Sequence, residues 1–334
     1  MTTLVFIECP DGSADNTAVL DANLAVIQAA KQIGRPIHAL VLGREVIALA
    51  RHVATIAAVD KVLYLDDEYY QHPLPERSAT VMAQLAQSST YSHLLAAATG
   101  VGKNIMPRVA ALLDVMQVSE VTNIIDEKTF EHYIYAGRVI ETVRANQDRQ
   151  VLTVRTTHFA GDHQQQKAAE MVALSANNFS QTSATLSVCL STDSGTDSGS
   201  NEETSDVSSA KVVVAGGGGL SSKDEFSTLL TPLAQQLGGA VGASRMPVAN
   251  GFCSSDCLIG QTGKVVAPKL YIAVAISGAN QHIAGMKDAK TIIAINRDEH
   301  APIFHYADYG LAMDAREVLP ALTEQLNKIQ PDRS

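Results

Sequence analysis

The chain has 334 residues, 46% of them hydrophobic and 18% charged, with a formal net charge of −10. That is enough apolar chain for about two packed domains of ~150 residues, and it excludes a wholly disordered polymer. The acidic balance, the absence of Trp and an aromatic content of 5% argue against a protein that grips nucleic-acid phosphates or stacks bases.

No uncharged apolar run reaches the ~20 residues of a membrane span, so no membrane insertion is expected. The first cation is Lys31, which leaves the opening residues without the basic region of a secretory signal or an Arg-rich transit peptide. Four scattered cysteines read as reduced thiols. The expected location is the bacterial cytoplasm, or the mitochondrial matrix for a mature eukaryotic chain. Cys253 and Cys257 stand as C-x3-C, but the nearest His is His282, so no metal site is expected.

In chain order, residues 4–8 read as a strand and 21–34 as a helix. Residues 36–43 and 61–65 are further strands, with a helix over 45–58 between them. A helix over 77–86 leads to a strand over 93–98. Ile105, Val109, Leu112, Leu113 and Met116 then repeat at helical spacing. Residues 139–143 and 151–156 read as strands. Such alternation predicts βαβ units around a mostly parallel sheet. Residues 191–209 hold five carboxylates, no cation and one aliphatic residue. They read as a flexible acidic linker that cannot offset its ordering entropy by burial. The expected domains are therefore 1–190, the linker 191–209, and 210–334.

The second domain opens with a strand over 212–215, then Gly216-Gly-Gly-Gly219, then Ser222 and Glu225 in capping-box register. Phe226, Leu229, Leu230, Leu233 and Leu237 continue as a helix. Strands follow over 270–276 and 291–295, and residues 318–329 close as a helix. Glycines between a strand and a helix start suit either an anion cradle or a plain tight turn. Ser277-Gly278-Ala279, directly after a strand, lies where ligands bind in open α/β sheets. Gly260-Gln-Thr-Gly-Lys264 lacks P-loop spacing. His282 is open to several readings, among them a general base, a flavin contact and a structural histidine.

These residues also carry a resemblance. The run from Leu270 through Ile276-Ser-Gly-Ala-Asn-Gln-His282 to Asn296-Arg-Asp298 resembles the signature of the electron transfer flavoprotein alpha subunit. So do Val241-Gly-Ala-Ser-Arg245, Gly260-Gln-Thr-Gly-Lys264 and Ala307-Asp-Tyr-Gly310. Upstream, the run from Gly102 to Asp114, Tyr135-Ala-Gly137 and Val154-Arg-Thr-Thr157 are similar to that family's N-terminal domain. The resemblance implies two Rossmann-like doubly wound α/β domains, with FAD on the C-terminal one and partner-subunit contacts on the N-terminal one. It implies a heterodimer with a beta subunit. It implies an electron carrier, not an enzyme with its own substrate chemistry: FAD takes electrons from acyl-CoA and other dehydrogenases and passes them to a membrane quinone oxidoreductase. On the family pattern, Ser244 and Arg245 stand beside the flavin. Ile259, Gly260, Gln261 and Thr262 reach the ring. Ser277, Gly278, Ala279, Asn280, Gln281 and His282 line the pyrophosphate, ribityl and ring edge. Asn296 and Asp314 meet the adenosine half.

The chain departs from that pattern at three places. Gly218 stands where the family has a phosphate-facing Arg, Ala275 where it has Gly, and Asn280 where it has a large aliphatic residue. The alternative reading is therefore a divergent paralogue that pairs with a beta subunit but holds FAD weakly or not at all.

Overall fold

The computed structural model describes residues 1–9, 17–71, 74–180 and 206–329. Two compact units divide the chain, residues 1–196 and 197–334.

In the first unit, β1 (Thr2–Ile7), α1 (Thr17–Gln32), β2 (Ile37–Gly43), α2 (Ile47–Ala54), β3 (Lys61–Asp66), α3 (Pro75–Ser88), β4 (Tyr91–Ala97) and α4 (Gly100–Leu113) alternate as the sequence predicts. The chain continues through β5 (Gln117–Asp126), β6 (Thr129–Ile134), β7 (Val139–Arg144), β8 (Gln150–Val154) and β9 (Glu170–Ala173). Nine strands form one sheet in the order β7-β6-β5-β8-β4-β1-β2-β3-β9. The β5–β6 and β6–β7 pairs are antiparallel, and the rest of the sheet is parallel. The central strands are buried on both faces, which is why β1, β2 and β4 read as continuous apolar runs. One face packs on α1 and α2, the other on α3 and α4.

Some expectations are corrected here. The helix holding Ile105 and Val109 ends at Leu113, because Asp114 takes left-handed backbone (φ 53°) as its C-cap. Met116 lies beyond it and is 77% exposed. Strand β5 escapes sequence reading because a bulge between Val118 and Val121 breaks its alternation. At that bulge Glu120 has φ 53°.

Strand β1 ends at a buried acid. The Glu8 backbone exchanges two hydrogen bonds with Asn23. Its carboxylate accepts from the Thr99 hydroxyl and the Gly102 amide, at the start of α4. Burial raises the Glu8 pKa above the usual carboxylate range.

The second unit holds β10 (Val212–Gly216), α5 (Lys223–Gln236), β11 (Ala240–Ala243), α6 (Arg245–Ala249), β12 (Leu270–Val274), α7 (Asn280–Met286), β13 (Ile292–Ile295), β14 (Tyr309–Leu311) and α8 (Ala315–Ile329). All five strands are parallel, in the order β11-β10-β12-β13-β14. Helices α5 and α8 cover one face, and α7 covers the other. Both units are thus doubly wound α/β layers, as expected.

The expected linker needs one correction. Residues 191–205 of it lie outside the described residues, but 206–209 form a packed turn. Its aliphatic residue, Val207, is 3% exposed in the core below α7. Asp206 binds Lys264 at 2.8 Å and accepts from the Ser208 amide at 3.0 Å. Among the described residues no helix is long and apolar enough to cross a membrane.

Candidate functional site

In the second sheet the chain winds one way from β10 to β11 and the other way through β12, β13 and β14. The crevice beyond the carboxyl ends of β10 and β12 is therefore the topological switch point, where open α/β sheets bind ligands. Two loops meet there, residues 217–222 after β10 and 275–279 after β12.

The structure decides what the glycine run does. Gly217 donates to Val274 O at 2.8 Å and Gly219 to Ala275 O at 3.2 Å. The Leu220 amide turns back to Gly217 O at 3.2 Å, and the Ser221 amide binds Glu225 Oε2 at 2.6 Å. A Cβ on Gly217 would stand 2.1 Å from Ala275 O. These glycines let two strand ends touch, and most of their N–H groups are engaged inside the protein. Gly218 is different: its φ is not positive, and a Cβ there would meet the Met246 Cβ at 3.1 Å. It faces the start of α6, beside Arg245.

The second loop keeps its donors. The amides of Gly278 and Ala279 have no acceptor among the described residues. Gly278 has φ 87° and packs so closely on Ile303 that a Cβ would lie 2.2 Å from its nitrogen. Ser277, Ala279 and Gln281 are exposed, and Asn280 is half-buried.

A strap, residues 258–266, runs across α7. Gln261 N–H reaches Gln281 O at 2.7 Å and Val266 N–H reaches Gly285 O at 2.8 Å. Gly260 allows the approach, since a Cβ on it would sit 2.8 Å from Gln281 O. Ile259 turns its side chain into the core and is 1% exposed.

His282 lies beneath the strap. Its Nδ1 is 3.0 Å from Ile259 O, a pure acceptor, so Nδ1 carries the proton and donates. The Tyr271 hydroxyl then donates to Nε2 at 2.9 Å. Burial holds the imidazole pKa down at about 4, so the ring is neutral. In this arrangement neither Ile259 nor the His282 ring presents a side-chain donor to the crevice, and the structural reading of His282 fits best. Tyr271, the partner that fixes its tautomer, had no signal in the sequence beyond an apolar strand.

Ser244 donates its amide to Gly216 O at 2.9 Å, which places Arg245 at the sheet's carboxyl edge. Arg245 is exposed, and its Nη1 lies 3.3 Å from the Thr262 hydroxyl on the strap. No carboxylate pairs with it among the described residues. In a chain of net charge −10, this unbalanced guanidinium is suited to an anionic ligand.

On the other side, Asn296 donates to Ile276 O at 2.8 Å. Asp314 caps α8 through the Arg316 amide at 2.9 Å, and that bond, with the Arg316 charge, holds its carboxyl below the usual range. Arg316, unremarked in the sequence, also binds Glu225 at 2.5 Å and Ser221 Oγ at 2.9 Å. It ties the glycine loop to α8. Gly219, Ala275, Asn296, Arg297, Asp314 and Arg316 are among the residues lining a shallow crevice of about 320 Å³, open solvent included. Among the described residues no three His, Cys, Asp or Glu side chains gather as a metal site.

Fold and loops together define a doubly wound parallel α/β unit with backbone donors after β12 and the Arg245 cation after β11. Comparison with known proteins gives the family. Residues 12–178 match the electron transfer flavoprotein domain and residues 206–287 the electron transfer flavoprotein FAD-binding domain. The chain is 46% identical to the electron transfer flavoprotein subunit alpha of Pseudomonas aeruginosa, over 92% of this chain and 96% of that one. It is 43% identical to the subunit alpha of Paracoccus denitrificans, over 98% and 100%. It is 40% identical to the probable mitochondrial subunit alpha of Schizosaccharomyces pombe, over 91% and 87%. The chain belongs to the electron transfer flavoprotein alpha subunit family.

Proposed function

We propose that this chain is the FAD-carrying alpha subunit of a heterodimeric electron transfer flavoprotein, an electron carrier without substrate chemistry of its own. The observation that carries the reading is the switch-point crevice between β10 and β12. The amides of Gly278 and Ala279, the Arg245 cation and the polar groups of Asn296 and Asp314 all stand on segments that follow the carboxyl ends of the parallel strands. That donor set fits a dinucleotide: N–H groups and a cation for anionic oxygens, a carboxylate for hydroxyls.

FAD would supply the uptake and release of electrons. The protein's part is electrostatic and positional. Arg245 favours added negative charge nearby, more strongly where water is excluded. Thr262 orients the guanidinium. Neutral His282 holds the strap on α7 by accepting from Tyr271 and donating to Ile259. The Gly278 and Ala279 amides offer backbone donors that need no reorganisation. On this reading the C-terminal unit holds the cofactor and the N-terminal unit contacts the beta subunit. Acyl-CoA and related dehydrogenases are the donors, and a membrane quinone oxidoreductase is the acceptor.

A second reading, the paralogue that holds FAD weakly, draws on Gly218 and on Ala275, whose φ of 52° forces left-handed backbone at the crevice. Co-expression with a beta subunit from the same source separates the two. The first reading expects a yellow complex with flavin bands in the blue and near ultraviolet and one FAD per heterodimer. A colourless complex that stays colourless after incubation with FAD overturns it in favour of the second.

A further inference from the structure

Arg316 stands second in α8, in a first turn whose positive helix end disfavours a cation. Two carboxylates hold it there. Its Nε pairs with Glu225 Oε1 at 2.5 Å and its Nη1 with Asp314 Oδ2 at 3.1 Å. Its Nη2 donates to Ser221 Oγ at 2.9 Å. Glu225 in turn belongs to the start of α5. Its amide donates to Ser222 Oγ at 3.1 Å, and its Oε2 accepts from the Ser221 amide at 2.6 Å. One guanidinium therefore joins the starts of α5 and α8 to the end of the glycine loop, using donors on three of its nitrogens, a spread that a lysine ammonium lacks.

The charges at this place nearly cancel. Arg297, Asp314 and Arg316 line the shallow crevice, and Glu225 lies against Arg316. Two cations thus stand with two carboxylates. The Glu225 side chain is only 15% exposed, so water screens it little, and the Arg316 charge is what offsets it. Without that charge the crevice rim would be net negative. Asp314 depends on the same residue twice, since its Oδ1 also accepts from the Arg316 amide at 2.9 Å.

We propose that Arg316 is a positioning residue for the dinucleotide: it cancels the Glu225 and Asp314 carboxylates, so that a ligand with a pyrophosphate meets no net repulsion, and it fixes Ser221 at the end of the glycine loop. The inference rests on the flavin reading above and adds a residue to it. Arg316 acts through its two carboxylates and the loop, and the proposal requires no contact between the guanidinium and the ligand. The same charges make a distinctive prediction for Glu225. Its carboxylate is the repulsive partner, so neutralising it alone leaves the rim with a surplus cation.

The test uses the full chain co-expressed with its beta subunit. FAD dissociation constants are read at low and high salt for the wild type, Arg316→Gln, Glu225→Gln and the double variant. Gln at 316 removes the charge and keeps an N–H donor, and Gln at 225 removes the charge and keeps an oxygen for the Ser221 amide. Arg316→Gln is expected to raise the constant about tenfold at low salt, and both high salt and added Glu225→Gln are expected to relieve most of that loss. Glu225→Gln alone is expected to tighten FAD about threefold at low salt, which keeps the proposal testable if Arg316→Gln does not fold. In the flavin-free complex, amide exchange at Ser221 is expected to be faster in Arg316→Gln than in the wild type. An unchanged FAD constant in Arg316→Gln overturns the proposal. So does a loss that persists at high salt and in the double variant, which would leave Arg316 a structural clamp alone, and so does weaker FAD binding in Glu225→Gln. Unchanged exchange at Ser221 overturns the hold on the loop. A wild-type complex that takes up no FAD overturns the flavin reading instead, and the flavin-free exchange still tests the hold on the loop.

Discussion

At the scale of single residues, Gly218 decides most. The position faces Met246 and Arg245, its φ is not positive, and a new Cβ would need the Met246 side chain to yield by a few tenths of an ångström. Met246 is 55% exposed and free to do so. Gly218→Arg is therefore expected to fold normally and to tighten FAD about ten- to a hundredfold, as one charge-assisted contact of ~1.5–3 kcal/mol would. The gain should shrink as salt rises. FAD dissociation constants at two ionic strengths check this, and an unchanged constant would mean that residue 218 does not reach the phosphates. The sequence left the glycine run open between cradle and turn, because glycine suits both. Only the destinations of the N–H groups separate them, and those depend on Val274 and Ala275, more than fifty residues downstream.

At the scale of elements, two strand ends invite mutation. Ala275 closes β12 in left-handed backbone at φ 52°, which costs an alanine about 1 kcal/mol or more. Ala275→Gly should raise the melting temperature by a few degrees, the net of relieved strain and a looser unfolded chain. A lower melting temperature would show that the methyl group's packing outweighs the strain. At the end of β1, buried Glu8 has a raised pKa, so the folded state holds its proton more tightly than the unfolded chain does. This group's contribution is present at low pH and is lost as pH climbs from about 4.5 through the raised value. Glu8→Gln keeps an oxygen for Thr99 and Gly102 and removes the charge. Its melting temperature should exceed the wild type's at pH 8, with the difference shrinking toward pH 5. A constant difference across that range would assign the effect to packing.

At the scale of the whole molecule, the two-unit plan and nearly all long helices were legible, because central parallel strands are uninterrupted apolar runs and surface helices repeat every three to four residues. Apart from the six-residue β6, what escaped was short or irregular. Strands β9 and β11 have four residues each, α7 has seven, and β5 carries a bulge. The candidate site residues were named through the likeness of their motifs; spacing alone did not reveal which backbone donors stay free, nor that Arg316 clamps the glycine loop. Of the expected linker, only residues 206–209 are described, and there one valine anchors the chain in the core. Limited proteolysis within residues 191–205 is expected to release two folded fragments, with flavin retained by the one that begins near Asp206. Flavin recovered only with the N-terminal fragment would reverse the assignment of the two units.

The strap seated on α7 has a kinetic corollary. Its ordering is completed by the protein's own bonds, through Gln281, Gly285 and the neutral ring of His282. No loop closure then stands between encounter and the bound state. In stopped flow, the observed rate of FAD association should climb linearly with FAD concentration and show no plateau, the signature of a one-step capture.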